Sequence, residues 1–152
     1  MFRNYFSSQL SSALVGKEVT IAGWVHRRRD HGELIFIDLR DRDGLTQVVV
    51  DPSVSAEAHA LAEGVRSEYV LSITGTVAAR PEGMKNKHIA TGDIEIHVST
   101  LQILNTAKTP PFAIDEEQIA NEELRLKYRY LDLRRERMQN NLKLRQDRKS
   151  VV

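Results

Sequence analysis

Three consecutive arginines, Arg27-Arg28-Arg29, open the question of chemistry. A guanidinium is permanently charged and presents a fork of donors that fits a phosphate. A few residues on, in the run L-I-F-I-D-L-R, Ile35, Ile37 and Leu39 alternate with Phe36, Asp38 and Arg40. If the aliphatic set faces a core, Phe36 faces outward among charges, and a large aromatic on a polar face calls for an explanation. A flat ring can stack a nucleobase. Gln47 and Glu95 add groups able to hydrogen-bond base edges. The long polar stretch R-P-E-G-M-K-N-K-H-I-A-T-G, Arg80–Gly92, adds Arg80, Lys85, Asn86, Lys87 and His88. Blander readings stand beside each of these. Arginine runs also occupy solvated strand edges, and Gln47 or Glu95 can be ordinary strand-surface residues. Phe36 can also be covered by the N-terminal segment or by the Arg80–Gly92 loop.

Catalytic constellations are missing. Cysteine is absent, which removes disulfides, thiolate metal sites and a cysteine nucleophile, and leans towards a reducing compartment. His26, His31, His59, His88 and His97 show no metal-ligand spacing, and there is no P-loop, G-x-S-x-G or G-x-G-x-x-G. Asp41 and Asp43 flank Gly44, where short acids bond their own backbone in a turn. No catalytic residue and no metal site is expected.

The elements that must position these residues are strands. From Glu18 to Leu104 the period is two: Val19 to His26, Ile35 to Arg40, Thr46 to Asp51, Leu71 to Val77 and Ile94 to Ser99. Turn signals lie at Asp30-His31-Gly32, Asp41-Arg42-Asp43-Gly44 and Ala90-Thr91-Gly92-Asp93. After Pro52, Ser53 or Ser55 can cap a short helix through Ala56, Ala58, Leu61, Ala62 and Val65. Three strands, a helix, then two strands is the order of the five-stranded Greek-key barrel called the OB-fold, an all-β architecture that abolishes open edges. There the face of strands 2 and 3 and the loop between strands 4 and 5 form a nucleic-acid groove.

With 152 residues the chain has room for one ordinary domain and an appendage. An apolar share of 41% against 28% charged excludes low-complexity disorder. The net charge of +1 hides polarity: residues 1–32 hold five bases and two acids, residues 33–112 seven and eleven, residues 113–152 ten and eight. Contact with a polyanion must therefore be local. No apolar run is long enough for a membrane helix and Met1–Leu10 does not read as a secretory signal, so a cytoplasmic location with no membrane partner is expected.

The expected organisation is a barrel over 1–106, a hinge over 107–121 containing Pro110-Pro111, and a helical segment over 122–146 opened by Asn121. Leu124, Tyr128, Leu131, Met138 and Leu142 fall near helical spacing, an apolar stripe the segment cannot bury alone. Residues 147–152 fit nothing upstream and read as a non-native tail.

G-W-V-H-R-R-R-D-H-G-E-L-I-F-I-D-L-R-D at 23–41 and G-L-T-Q-V-V-V at 44–50 resemble the anticodon-binding domain of class II aspartyl-, asparaginyl- and lysyl-tRNA synthetases. R-L-K-Y-R-Y-L-D-L-R-R at 125–135 resembles the bacterial aspartyl enzymes in particular, as do T-G-T-V-A-A-R at 74–80 and A-T-G-D-I-E at 90–95. The resemblance covers residues 1–146. It implies the anticodon-recognising N-terminal part of a ligase whose catalytic core follows. ATP, Mg and homodimer formation would belong to that whole enzyme, and this chain alone would be inactive. The resemblance further implies that Phe36 stacks on the middle anticodon uridine, that Gln47 hydrogen-bonds that base, and that Arg27, Arg29, Arg80 and Glu95 contact other anticodon-loop groups. His31 and Gly83 resemble members that also charge the asparagine tRNA. The alternatives are a general single-strand-binding OB protein, or a lysyl or asparaginyl enzyme fragment.

Overall fold

The computed structural model describes residues 2–114 and 119–150. Five strands, β1 (Glu18–His31), β2 (Leu34–Arg40), β3 (Leu45–Val50), β4 (Val70–Ala79) and β5 (Ile94–Asn105), close into a barrel in the order β1-β2-β3-β5-β4. All neighbours are antiparallel except β3 and β5, whose short parallel pairing, Val48 to Ile96 and Val49 to His97, closes the ring. The alternating aliphatics meet inside: Val19, Ile21, Val25, Ile35, Ile37, Val48, Leu71, Ile73, Ile96 and Val98 belong to one buried cluster. The OB-fold expectation is met. Glycine is required where strands cross closely. A Cβ on Gly23 would lie 2.3 Å from the Arg40 carbonyl oxygen, and one on Gly75 2.2 Å from that of His97.

Helix α1 (Ala56–Glu63) lies between β3 and β4 and plugs the barrel with Ala58, Ala62 and, just beyond it, Val65. Ser55 is its cap, its Oγ accepting from Ala58 N at 3.2 Å. The N-terminal segment is pinned to the β2–β3 turn: Ser7 N donates to Asp41 Oδ2 at 2.7 Å, and Phe6 lies between the guanidiniums of Arg3 and Arg42.

The chain divides between Thr109 and Pro110 into two compact units. In the second, the helical segment expected over 122–146 consists of three helices: α2 (Glu122–Lys127), α3 (Arg129–Asp132) and α4 (Glu136–Ser150). Tyr128, at φ −109° and ψ 49°, breaks the first from the second. Asn121 caps α2, its side chain accepting from Leu124 N at 2.9 Å. The apolar stripe finds partial cover within its own unit, because Phe112, Ile114 and Leu131 form a buried cluster with Leu124 and Tyr128 against it. Under it, fully buried Asp132 accepts from Arg135 Nε at 2.6 Å and Arg129 Nη1 at 3.3 Å. Leu142 and Leu144 remain exposed. Of the expected hinge, residues 115–118 lie outside the described residues, as do 151–152 of the expected tail; α4 itself continues through Ser150.

Candidate nucleic-acid interface

Strict alternation along β1 would be fatal to the arginine run. Val19, Ile21 and Val25 point inward, so an unbroken strand would aim Arg27 and Arg29 into the core as well. A β-bulge prevents this. Val25 pairs with Leu39, but the next pair is Arg27 with Asp38, leaving His26 as the extra residue. Beyond the bulge Arg27 and Arg29 join Phe36 and Asp38 on the outer face, and Arg28 falls opposite the core residue Ile37. There Arg28 reaches the end of α1, donating to the Glu63 and Val65 carbonyls and pairing with Asp30 at 2.7 Å. A cation at a helix C-terminus is favourably placed. One arginine of the three is thus structural.

The bulge is clamped from outside the barrel. Glu68 N donates to Val25 O at 2.7 Å, and Val25 N donates to Tyr69 O at 2.9 Å. Glu68 adopts φ +65°, and its buried carboxylate pairs with Arg40 Nη2 at 2.7 Å. Arg40 Nη1 meets Nδ1 of the bulged His26 at 3.0 Å.

Strand register then lays two rows across the outer face. Arg29, Phe36, Val49 and His97 form one, since each is paired with the next. Arg27, Asp38 and Gln47 form the other, with Glu95 beside Gln47 on β5. Phe36 is half-buried and belongs to neither apolar cluster. Arg27 is exposed, and its side chain has no hydrogen bond or ion pair among the described residues. A continuous polar chain runs beside the ring. Asp38 accepts from Arg29 Nη2 at 3.1 and 3.2 Å. The same Nη2 donates to Gln47 Oε1 at 3.2 Å, and Gln47 Nε2 donates to Glu95 Oε2 at 3.0 Å. His97 Nε2 lies 3.0 Å from Glu95 Oε1.

Arg80 sits at the root of the β4–β5 loop, 6% exposed, with Nε donating to Ile94 O at 2.9 Å. Its Nη2 is buried without a hydrogen-bond partner. Burial pushes its pKa down, while the carboxylates of Glu95 and Asp38 oppose that shift. An unpaired buried donor of this kind is costly, and such groups are rare in folded proteins. The loop is tied to the barrel by Thr91 Oγ1, which donates to Leu45 O.

Arg27, Arg29, Phe36, Gln47 and Glu95 therefore share one face, and Arg80 lies in its electrostatic field. His31, two residues beyond Arg29 in regular pairing, continues that face at the end of β1, and Gly83 lies in the β4–β5 loop. The hairpin turn is Gly32-Glu33 alone, with Gly32 at φ +63°, so exposed His31 ends β1 rather than lying in the turn. Gly83, at φ +88°, occupies the position of the Pro81–Met84 turn that favours glycine. Sequence reading missed Asp38 and His97 as members of the site. Their signal was spacing, since each stands two residues from a candidate, Phe36 or Glu95, and so on the same face. Among the described residues no cluster of three or more His, Asp or Glu side chains could hold a metal ion.

A closed five-stranded barrel whose outer face offers a ring, an oriented amide, guanidinium donors and a carboxylate is an OB-fold nucleic-acid-binding module. Residues 19–104 match the tRNA anticodon family described as an OB-fold nucleic acid binding domain, and the chain belongs to that family. It is 58% identical over 143 residues to the aspartate–tRNA(Asp/Asn) ligase of Desulfotalea psychrophila, a match covering 94% of this chain and 24% of that protein. The chain spans about a quarter of the length of such relatives. The asparaginyl-tRNA synthetase of Pyrococcus horikoshii in complex with asparaginyl-adenylate shares the fold at TM-score 0.72 and 30% identity, over 88% of this chain and 29% of that one. The aspartyl-tRNA synthetase of Entamoeba histolytica shares the fold at TM-score 0.77 and 24% identity, over 90% of this chain and 34% of that one. No helix among the described residues is long and apolar enough to cross a membrane.

Proposed function

We propose that this chain is the anticodon-recognition part of an aspartate–tRNA ligase that accepts both aspartate and asparagine tRNAs. The observation that carries the reading is Phe36, presented outward in one row with Arg29 and beside the hydrogen-bonded amide of Gln47. The ring stacks on the middle anticodon base, and Gln47 reads its edge. Arg27 and Arg29 contact the backbone around it. Glu95 and the Arg80 guanidinium take neighbouring loop groups. The Asp/Asn designation of the D. psychrophila relative supports relaxed tRNA choice. His31 and Gly83, one at the end of β1 and one in the loop turn, are our candidates for that relaxation.

In the complete ligase, ATP and Mg would supply amino-acid activation, and the enzyme would work as a homodimer in the cytoplasm. The described residues do not form a metal-holding carboxylate cluster, and no step of that reaction is assigned to them. Purified chain should give no aspartate-dependent ATP–pyrophosphate exchange above background.

The direct test is binding of anticodon stem-loops to the purified chain. Aspartate and asparagine stem-loops should bind within about tenfold of each other, or about 1.4 kcal/mol, and both well above a scrambled loop. A hundredfold preference for the aspartate loop would refute relaxed choice. Equal binding of the scrambled loop would refute anticodon recognition and favour a general single-strand binder.

A further inference from the structure

Both ends of the Gln47 amide are committed to partners of opposite character. Oε1 accepts from the Arg29 guanidinium at 3.2 Å, and Nε2 donates to the Glu95 carboxylate at 3.0 Å. Turning the amide over would set its NH2 against a cation that only donates, and its carbonyl against an anion that only accepts. Two attractive contacts would become two repulsive ones. The residual donor and acceptor of Gln47 therefore face outward in one sense only.

That lock depends on Arg29 and Glu95 staying where they are, and each has a holder. The Arg29 side chain is 45% exposed and long enough to swing into solvent. Both oxygens of Asp38 restrain its Nη2, at 3.1 and 3.2 Å. The contact is diagonal, because the residue directly opposite Arg29 is Phe36. At the other end the His97 ring faces Glu95 Oε1 at 3.0 Å, and since a carboxylate accepts, Nε2 carries the proton. Glu95 is thereby fixed with its second oxygen on Gln47. Asp38 and His97 thus bracket a hydrogen-bonded chain that spans β1, β2, β3 and β5.

We propose that Asp38 and His97 are positioning residues that set the direction of the Gln47 amide, and so decide which base the site accepts beside Phe36. The inference rests on the reading of this face as a base-binding one. Uridine and cytidine are the informative pair, because their pairing edges exchange donor for acceptor while keeping ring size. A fixed amide distinguishes them; an amide free to turn over does not.

The test uses the full chain and stem-loops carrying uridine or cytidine at the middle anticodon position. The parent should prefer uridine by about tenfold or more, the discrimination of a well-placed hydrogen-bonding pair. Asp38→Ala and His97→Phe should each compress the preference to within about threefold, chiefly by losing affinity for uridine, with the melting temperature unchanged. His97→Gln retains a donor and should keep the preference; His97→Phe retains only the ring. Variants that bind more weakly but keep the parent's preference would overturn the inference, leaving Asp38 and His97 a general electrostatic role. So would a His97→Phe protein that behaves as the parent. A parent that shows no preference at all would overturn the base-binding reading itself, and this inference with it.

Discussion

Replacing Phe36 by alanine separates stacking from packing, because the ring lies on the barrel's outer face and in neither apolar cluster. Base–aromatic stacking contributes on the order of 1–3 kcal/mol per base. Phe36 is half-buried, with Arg29 and Val49 as its register neighbours, so only part of the ring is open to a base. We expect a loss near the middle of that range, about tenfold to a hundredfold in stem-loop affinity. The fold should lose roughly 1 kcal/mol, well below the roughly 3–5 kcal/mol of a core Phe→Ala change. Phe36→Tyr and Phe36→Trp keep a flat face and should retain most of the binding. Fluorescence anisotropy with labelled stem-loop at several salt concentrations supplies a second axis. Arg29→Ala should flatten the slope of log affinity against log salt by about 0.7 for each single-strand phosphate that the guanidinium neutralises in the parent. Phe36→Ala should leave that slope alone. Phe36→Ala binding like the parent would refute stacking. A loss of several kcal/mol in urea unfolding would do so equally, by making the ring a core element.

Three further outcomes test the scaffold. Gly75→Ala drives a Cβ to 2.2 Å from the His97 carbonyl oxygen, an atom held in the β4–β5 ladder; urea unfolding should show a loss at or above the roughly 1–3 kcal/mol of ordinary overpacking. Glu68→Gln leaves the buried Arg40 charge without its carboxylate at 2.7 Å; the loss should be about 3 kcal/mol, readable as a lower urea midpoint at unchanged slope. Asp132→Asn removes the carboxylate from buried Arg135 in the second unit; amide exchange in α2 and α3 should speed up by about tenfold to a hundredfold, while exchange in the barrel stays as it was.

The barrel was legible because its strands alternate cleanly, and the helix after β3 because Ser55 and a run of alanines interrupt that period. Phe36 was legible for the same reason: outward placement follows from Ile35 and Ile37 being inward. What alternation alone could not give was the phase of the arginines. The sequence separates Arg28 from Arg27 and Arg29, but only the bulge at His26 decides which side is which. Bulges have weak local signatures, since the hydrogen bonds that stabilise this one come from Glu68 and Tyr69, more than forty residues away. The break at Tyr128 was hidden too. The helical period runs on through Arg125–Arg135 and gives no sign of the break, across which buried Asp132 gathers Arg125, Arg129 and Arg135.

The bulge also explains the charged cluster on a part of the barrel that has no place in the proposed binding face. A buried ion pair is weak grounds for stability, because desolvation offsets most of its Coulomb attraction. A glutamate at φ +65° adds a cost of its own, on the order of 1 kcal/mol or more. Neither feature makes sense as generic support for a barrel already filled with Val, Ile and Leu. Both make sense together with His26. Glu68 holds Val25 through its backbone and Arg40 through its carboxylate, and Arg40 in turn meets the bulged His26 side chain. One extra residue in β1 is thereby fixed from three directions. Without the bulge, the same sequence would place Arg27 and Arg29 in the core and Arg28 outside, with neither Arg27 nor Arg29 beside Phe36. The strain and the buried charges thus serve phase: they set which side of the strand faces the ring, and with it whether this barrel has a cationic aromatic face at all.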